Sequence, residues 1–479
     1  MKTKNKIIKK DNGIIEIQLS TNTLKDYDLF LKCKQLPKYK IHNNTCITDE
    51  NSYNYVFNSN KIEKQQYNDK KHILFDYQQY IVNVALQKKR YAVFTDCGIG
   101  KTFIELAFAD TINGKVLYLC PLSVMDDILK EAERLDVKIS NLRYESWNEK
   151  IGLINFESMK HLDTHDIKGI ILDESSILKG SDGATRLWLT ELAANVEYRM
   201  CASATPSPNE QAEYATHAVF LGYATTLKEF YSRFFRKDGQ NWIIKPHAIK
   251  SFYENLSSWA CYIKSPSYLG FEKGAELDYE PEYIQLHSID QKYKLEEQLF
   301  TENIGLSESN SIVFGGLRCD DKTDRFKQSL QAIKDKHSII WCIRNKEEEM
   351  YYKHLKDKAI LITGSVDIEK RVALINEWKK GNIQYLISKP SILGFGINLQ
   401  QAEAMLYSGY NFSFEEFYQA VRRSHRFGRK DRLKVYIPIA EVENPIWDIL
   451  QKKLRTFEHD ILKLQDTMFK GLQNNNLKG

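Results

Sequence analysis

One stretch, Thr95-Asp-Cys-Gly-Ile-Gly-Lys-Thr102, constrains this chain more than any other. It follows the apolar run 91–94 and precedes the apolar-periodic run 103–108, which predicts the order strand, glycine-containing loop, helix. Such a loop directs backbone N–H groups and a helix N-terminus at a phosphate chain. We therefore predict that Lys101 reaches the β- and γ-phosphates of a nucleoside triphosphate and that the Thr102 hydroxyl binds Mg²⁺.

The loop departs from the full phosphate-loop pattern at one position. That pattern is Gly, four residues, then Gly-Lys-Ser/Thr. Gly98 and Gly100 are present, but Thr95 stands where the first Gly is expected. An ordinary turn before a structural helix is the alternative interpretation, and the loop alone does not distinguish a kinase, a GTPase or a transport ATPase.

Bulk properties restrict the class of protein. A chain of 479 residues suggests about three structural units. The net charge of +5 permits nucleic acid as a partner without requiring it. Eight cysteines without a C-x-x-C pair give no zinc-ligand spacing and favour a reducing compartment. No signal core and no apolar run near ~20 residues occurs, so we expect a cytoplasmic protein that does not span a membrane.

The sequence divides into four segments. Residues 1–70 are polar and predict a small N-terminal accessory element. Residues 71–265 alternate strand-like and helical runs, as do residues 289–479, which end in an amphipathic helix; residues 266–288 are less regular and predict a connection. The pattern indicates α/β domains on parallel sheets. The predicted strands are 91–94, 116–120, 152–155, 169–172, 198–202, 338–342, 359–363, 384–388, 404–407 and 434–439.

Acidic and hydroxyl residues follow two of these strands. Asp173 and Glu174 come directly after an apolar strand, at the sheet edge where α/β proteins bind ligands. Asp173 is predicted to complete the Mg²⁺ shell and Glu174 to orient and deprotonate the attacking water. Alone, the Asp-Glu-Ser-Ser tetrad would equally be a helix cap. Ser203 and Thr205 end another strand, and an ordinary strand exit is the alternative there.

A basic segment lies far downstream. Gln419-Ala-Val-Arg-Arg-Ser-His-Arg-Phe-Gly-Arg429 spaces Arg423 and Arg426 three apart, which predicts one helical face. Guanidinium groups suit the spread charge of a phosphoryl-transfer transition state. As arginine fingers from a second domain, they would make hydrolysis depend on domain closure. The alternatives are a solvated basic helix and a plain nucleic-acid patch.

The ordered set Gln78, GxGKT, DESS, SAT and QxxxRxxR resembles the superfamily-two helicases and translocases, closest to Swi/Snf-like ATPases and their phage-encoded relatives. The resemblance covers residues 75–439. It implies two RecA-like P-loop domains in tandem, ATP and Mg²⁺ as cofactors, and a bacterial or phage-infected host cell. Arg429 stands where remodelling ATPases usually carry Gln, and the long insertions of remodellers are missing, which weakens a chromatin role.

The resemblance also implies roles for single residues. It places Gln78 on the adenine edge, and it makes 98–102 motif I, 173–176 motif II, 203–205 motif III, 392–400 motif V and 419–429 motif VI. Motif III would couple the ATP state to domain contact through Ser203 and Thr205. The residues that it assigns to nucleotide are Gln78, Gly98, Gly100, Lys101, Thr102, Gly396 and Gln419.

Nucleic-acid contacts are also assigned by resemblance, to loops that grip phosphates irrespective of base sequence. The candidate residues are Pro121, Asn155, Lys179, Arg186, Thr363, Lys389 and Asn398. A solvated surface charge is the alternative for each cation. Trp242 and the run 233–237 would form a stacking or wedge element, with buried aromatics as the alternative.

The sequence thus predicts a monomeric, nucleic-acid-stimulated ATP hydrolase. It would act as an ATP-dependent translocase or helicase, on DNA more than on RNA. Two alternatives stay open: an ATP-gated nucleic-acid clamp with little turnover, and an RNA helicase of the same fold.

Overall fold

The computed structural model describes residues 7–10, 13–19, 29–30, 32–33, 36, 38–57, 67, 73–159, 162, 164–179, 183–239, 241–267, 270–271, 274, 279–303, 306–393, 397–411 and 413–476. The chain divides into two compact units. The first unit is Met1–Gly274 with Phe457–Gly479, and the second is Ala275–Thr456. The division at residue 274 lies within the predicted connection 266–288, and the end of the C-terminal helix is grouped with the first unit.

The N-terminal part of the first unit is a small antiparallel sheet. Its strands are β1 (Ile7–Lys9), β2 (Ile14–Gln18), β3 (Tyr39–His42) and β4 (Thr45–Asp49), in the order β1-β2-β4-β3, and helix α1 (Glu50–Phe57) follows. Ile15 and Ile17 of β2 are buried while the residues between them are more exposed, as strand alternation requires. One face of this sheet therefore packs on its own small core.

The rest of the first unit is an α/β layer structure. The strands are β5 (Arg90–Thr95), β6 (Lys115–Cys120), β7 (Ile139–Asn141), β8 (Ile151–Asn155), β9 (Ile167–Asp173), β10 (Tyr198–Ser203), β11 (Phe235–Asp238), β12 (Asn241–Ile244) and β13 (Ala260–Ile263). Seven of them form a parallel sheet in the order β13-β5-β10-β9-β6-β8-β7, and β11 and β12 form a separate antiparallel hairpin. The central strands are almost entirely buried, which is typical of parallel sheets covered on both faces.

Helices connect these strands. They are α2 (Asp76–Lys88), α3 (Lys101–Thr111), α4 (Met125–Leu135), α5 (Gly183–Ala193), α6 (Tyr214–Leu221), α7 (Leu227–Phe234) and α8 (Ile249–Trp259). Helix α4 shows why they pack: Met125, Ile128, Ala132 and Leu135 recur at helical spacing and are buried, and the intervening residues apart from Leu129 are charged.

The second unit has a six-stranded parallel sheet. Its strands are β14 (Glu282–Ser288), β15 (Ser338–Trp341), β16 (Ala359–Ile362), β17 (Tyr385–Ser388), β18 (Ala404–Tyr407) and β19 (Lys434–Ala440), in the order β14-β19-β18-β15-β17-β16. Its helices are α9 (Gln291–Asn303), α10 (Leu306–Arg318), α11 (Asp324–Ile333), α12 (Asn345–Leu355), α13 (Ile368–Lys379), α14 (Pro390–Leu393), α15 (Phe414–Arg422) and α16 (Asn444–Asn476).

The prediction of two α/β units on parallel sheets is confirmed, and each of the ten predicted strands is present within two residues at either end. The irregular character expected for 266–288 was wrong for its last seven residues, which form β14. Ile284 and Leu286 alternate with polar residues and pack on the second unit's core, and β14 pairs with β19 along its whole length. Among the described residues, no helix is both long and apolar enough to cross a membrane.

A buried ion cluster holds the second unit together. Glu443 is fully buried and accepts from Arg318 Nε at 2.7 Å and from Arg325 Nε at 2.9 Å. Arg325 also donates to the Ser408 carbonyl oxygen. Burial would raise the pKa of Glu443, but the two guanidinium groups hold it below its ordinary value. The charged carboxylate is therefore part of the folded state.

We expect Glu443→Gln to lower the free energy of unfolding of the second unit by about 3–5 kcal/mol, because two buried guanidinium groups lose their counter-charge. Urea-induced unfolding measures the change. Glu441→Gln is the matched control, since Glu441 pairs with Lys294 at 2.8 Å but both side chains are nearly half exposed. That control should change the same quantity by about 1 kcal/mol or less. Equal effects of the two substitutions would contradict the assignment.

Candidate active site

The predicted phosphate loop lies between β5 and α3. Gly98 and Gly100 have φ values of 90° and 78°, and Gly100 is the N-cap of α3. A Cβ added at Gly100 would lie 2.2 Å from Gln78 Nε2. Glycine is therefore required at position 100 both by its left-handed backbone and by the close approach of another side chain.

Gln78 holds this loop from helix α2. Its Oε1 accepts from Phe75 N at 2.9 Å, and its Nε2 donates to the carbonyl oxygens of Ile99 at 3.1 Å and Gly100 at 3.4 Å. Tyr77 Oη donates to the same Ile99 oxygen at 2.6 Å. The contact of Gln78 with adenine stays a prediction. In the structure, its side chain is hydrogen-bonded to the phosphate loop and holds that loop in place.

Lys101 joins the loop to motif II. Its Nζ lies 2.6 Å from Asp173 Oδ1 and 3.1 Å from Glu174 Oε1, and all three side chains are largely buried. Burial alone would lower the pKa of Lys101, but the two carboxylates raise it above its ordinary value. The ammonium group therefore stays charged where a phosphate chain would approach.

Glu174 has an unusual backbone. Its φ is 53°, in the left-handed region that non-glycine residues seldom occupy, and its N–H donates to Asp173 Oδ1 at 2.9 Å. Such a conformation costs on the order of 1–3 kcal/mol and persists where the surroundings enforce it, often at functional sites. Here it turns the chain sharply after β9, so that two consecutive carboxylates both reach Lys101.

The donors near Lys101 fit Mg²⁺. Thr102 is in the first turn of α3 next to Lys101, and Asp173, which ends β9, contacts the Lys101 ammonium with its carboxylate. Mg²⁺ prefers such oxygen ligands and is usually held by one or two protein groups together with substrate phosphates.

One charged residue of the site was missed by the sequence analysis. Glu105 of α3 is fully buried and accepts a hydrogen bond from Tyr118 Oη of β6. Burial, and the nearby Asp173 charge, raise the pKa of Glu105 well above its ordinary value. The signal was a lone carboxylate inside the apolar run 103–108.

Motif III is tied to motif II by a lysine. Thr205 N donates to Ser203 Oγ at 3.1 Å, and Lys179 Nζ donates to the Thr205 carbonyl oxygen at 2.5 Å. Lys179 ends a short 3-10 helix, Ser175–Lys179, that begins within motif II. Its role as a phosphate contact stays a prediction; its observed contact links the two motifs.

His217 is a second residue that the sequence analysis missed. It lies in α6, is fully buried, and its Nε2 is 3.0 Å from Ser175 Oγ of motif II. The Phe94 ring of β5 meets its imidazole edge-on at 5.2 Å. Burial, with a smaller effect of the Lys179 charge, lowers the pKa of His217 to about 3. The histidine that contacts Ser175 of motif II is therefore neutral at physiological pH.

This burial predicts a pH dependence of stability. The unfolded chain binds a proton at His217 below about pH 6.5, whereas the folded chain does so only near pH 3. The stabilisation is complete above pH 6.5 and falls by about 1.4 kcal/mol per pH unit below it. Comparing urea-induced unfolding at pH 7.5 and 5.5, we expect wild type to lose about 1.4 kcal/mol more than His217→Gln, which cannot titrate. Identical losses in both proteins would contradict this.

The arginines of motif VI lie in the second unit. Gln419 is buried in α15 and donates from Nε2 to Glu415 Oε1 at 3.3 Å. Arg423 is buried and Arg426 is partly exposed. The expectation that both arginines share one helical face was wrong, because α15 ends at Arg422. Arg423 is its C-cap, and Arg426 lies in the following turn.

The physical reason is a tightened helix end. The N–H groups of Arg423 and Ser424 bond to carbonyls three residues earlier, at 3.3 and 3.2 Å, instead of four. His425 Nε2 then contacts the Tyr279 carbonyl oxygen at 2.6 Å. Gly428 turns the chain with a φ of 86°. A basic composition with helical spacing did not reveal this stop.

Motif V packs on motif VI. Leu399 N donates to the Arg423 carbonyl oxygen at 2.9 Å, and Asn398 Oδ1 accepts from Gln400 N at 3.0 Å. Arg429 donates from Nη1 to the carbonyl oxygens of Gln400 at 3.0 Å and Ala402 at 2.7 Å. Arg429, which replaces the Gln usual in remodelling ATPases, thus links motif VI to the end of motif V by hydrogen bonds. Gly396 lies outside the described residues.

Residues 321–428 match the family model described as helicase conserved C-terminal domain. This part of the second unit is similar to helicase C-terminal domains. A solved structure, the Sulfolobus solfataricus SWI2/SNF2 ATPase core in complex with dsDNA, is similar at 18% identity and a TM-score of 0.40, covering 87% of this chain and 98% of that one. None of the curated proteins compared with this chain matches it. The bound dsDNA belongs to the Sulfolobus protein.

Three of the remaining nucleic-acid candidates form hydrogen bonds with side chains of the same unit. Asn155 Nδ2 donates to Glu157 Oε2 at 2.6 Å, Thr363 and Ser365 hydroxyls lie 2.9 Å apart, and Lys389 donates to Asn345 Oδ1. Pro121 precedes a short 3-10 helix after β6, and Arg186 is partly exposed on α5. These contacts leave their predicted roles as predictions.

The predicted wedge segment is the hairpin β11–β12. Trp242 stacks on Tyr231 at 4.6 Å between ring centroids, and Arg233 lies over the Tyr39 ring at 4.0 Å. Phe235 is buried, whereas Lys237 beside Trp242 is exposed. The aromatic rings therefore support the hairpin internally.

Proposed function

We propose that this chain is a nucleic-acid-stimulated ATP hydrolase that moves along a strand, acting on DNA more than on RNA. The observation that carries the proposal is the position of the Lys101 ammonium, held between Asp173 and Glu174 directly after the phosphate loop. The helicase-like segment 321–428 in the same chain supports nucleic acid as the partner.

The residues of the first unit have separate tasks in this proposal. The phosphate-loop N–H groups and Lys101 bind the triphosphate and neutralise the charge that develops on its terminal phosphate. Thr102 and Asp173 would hold Mg²⁺, which supplies charge neutralisation at the phosphates. Glu174 orients the attacking water and accepts its proton, as a carboxylate beside the phosphate loop is placed to do.

Arg423 and Arg426 are proposed as the arginine fingers. Hydrolysis would then require groups from both units, and the cycle of ATP binding and release would become movement along nucleic acid. Motif III, through Ser203 and Thr205, would carry the ATP state to that step. Arginine suits this task because its planar donors match phosphate oxygens and its charge is permanent.

Nucleic acid is proposed to bind through phosphates, and the proposed contacts are Pro121, Asn155, Lys179, Thr363, Lys389 and Asn398. Such contacts give affinity without base specificity and weaken with salt. The preference for DNA and a bacterial or phage-infected cell follow from the motif resemblance; the cytoplasmic site follows from the scattered cysteines and the signal analysis, and the protein is proposed to act as a monomer.

An ATPase assay tests the proposal. The rate should rise severalfold when single- or double-stranded DNA is added, and less with RNA of the same length. A rate indifferent to both nucleic acids would refute it. Greater stimulation by RNA would favour the RNA-helicase alternative, and turnover near one ATP per complex would favour the clamp. Strand displacement on forked, tailed and blunt duplexes then separates unwinding from translocation.

A further inference from the structure

The part of helix α16 that begins at Phe457 packs in the first unit, near the segment that follows motif III. Phe457 and Asp460 are one helical turn apart, and both are buried within the first unit, with 2% and 3% of their surface exposed. A buried carboxylate is costly unless donors satisfy it. The donors that Asp460 uses lie on the segment that follows motif III and on α8.

Asp460 is satisfied by two side chains. Tyr253 Oη of α8 donates to Asp460 Oδ1 at 2.7 Å, and Gln211 Nε2 donates to the same oxygen. Gln211 Nε2 also lies 3.0 Å from Tyr253 Oη, so the three groups form a closed triangle. Gln211 starts the 3-10 helix Gln211–Glu213, shortly after motif III.

Phe457 reaches motif III by a second route. Its ring meets the Tyr262 ring of β13 edge-on, with 6.1 Å between centroids. Tyr262 Oη donates to the Ala204 carbonyl oxygen of motif III at 3.4 Å. The helix thus contacts a residue that bonds to motif III, Tyr262, and a residue six positions after motif III, Gln211.

The same motif is bonded to the helix that begins in motif II. Thr205 accepts from Lys179, whose short helix begins in motif II, two residues after Asp173. Side-chain contacts therefore link α16 to Tyr262, Tyr262 to Ala204 of motif III, and Thr205 of motif III to Lys179, which follows Asp173 and Glu174 in the chain. Helix α16 itself begins in the second unit, at Asn444 after β19, and is continuous into the first.

We infer that Asp460 and Phe457 are positioning residues, and that α16 holds motif III in the arrangement that nucleic-acid-stimulated turnover requires. A helix that only stabilised the fold could bury an apolar side chain at position 460, whereas a buried carboxylate here binds two donors, one of them six residues after motif III. The inference rests on the proposed function, since it concerns the stimulated rate.

The test compares single and double variants. Asp460→Ala should lower the DNA-stimulated kcat by about 3- to 30-fold, the range of positioning residues remote from a ligand. The basal rate and KM for ATP should change less than twofold. Asp460→Asn keeps an acceptor oxygen for Tyr253 and Gln211, so it should restore most of the stimulated rate. Glu458→Ala removes an exposed carboxylate from the same helix and should have no effect.

A double-variant cycle with Gln211→Ala separates coupling from stability. If the contact carries the effect, Asp460→Ala with Gln211→Ala should be no slower than the worse single variant. Three results would each overturn the inference. The first is a double variant whose loss of rate is the product of the two single losses, and the second is a stimulated rate unchanged in Asp460→Ala. The third is a basal and a stimulated rate that both fall along with the melting temperature. A wild-type rate that DNA does not stimulate would instead overturn the proposed function.

Discussion

Lys101→Ala should abolish nearly all ATP turnover, with the DNA-stimulated kcat falling on the order of 10²–10³-fold, as for removal of a single preorganised charge donor. The structure supplies the reason. Lys101 is the cation that both Asp173 and Glu174 contact, and the carboxylates would otherwise repel the triphosphate. A coupled assay of ATP hydrolysis with saturating DNA measures the loss.

Two controls make this result specific. Lys150→Ala removes another ion-paired lysine, bonded to Asp110 at the other end of α3, and should leave the rate within about twofold. DNA affinity of Lys101→Ala should stay near the wild-type value, giving a protein that binds DNA but does not travel. A Lys101→Ala enzyme as active as wild type would exclude the proposed site. A melting temperature measured alongside reveals any loss of fold.

The sequence predicted the strands well, and it singled out the loop 95–102 and the acidic pair 173–174 that the structure brings together, because both features have local causes. Apolar runs of strand length specify buried parallel strands, and a phosphate loop is encoded within eight residues, 95–102. The pairing of Lys101 with Asp173 was predictable because carboxyl ends of parallel strands share one edge. Thr95 is buried at the end of β5, so its side chain takes no exposed place in the loop.

What the sequence did not predict depends on contacts between distant residues. Nothing local marks His217 as the partner of Ser175, or Asp460 as the partner of Gln211, because each pair forms only after the sheet brings its helices together. The end of α15 at Arg422 is another case. Helix propensity favours continuation there, and the chain instead tightens and binds the Tyr279 carbonyl.

Arg423→Ala should lower the DNA-stimulated kcat on the order of 10³-fold, the lower range for loss of an arginine finger. KM for ATP should change only a few-fold, since the charge that Arg423 would stabilise develops in the transition state. Arg423→Lys should recover a minor part of the rate, because an ammonium group keeps the charge but not the planar pair of donors. Steady-state kinetics on the three proteins gives the separation of kcat from KM.

The burial of Arg423 requires a control for folding, because its backbone joins α15 to Leu399 of motif V. Arg432→Ala removes an exposed arginine just beyond motif VI and should leave kcat within about twofold. If Arg423 served only to hold motifs V and VI together, Arg423→Ala would lower the melting temperature, and Arg429→Ala, which breaks the observed clamp on Gln400 and Ala402, would reproduce its kinetics. A finger predicts the opposite pattern, in which Arg429→Ala loses stability and Arg423→Ala loses catalysis.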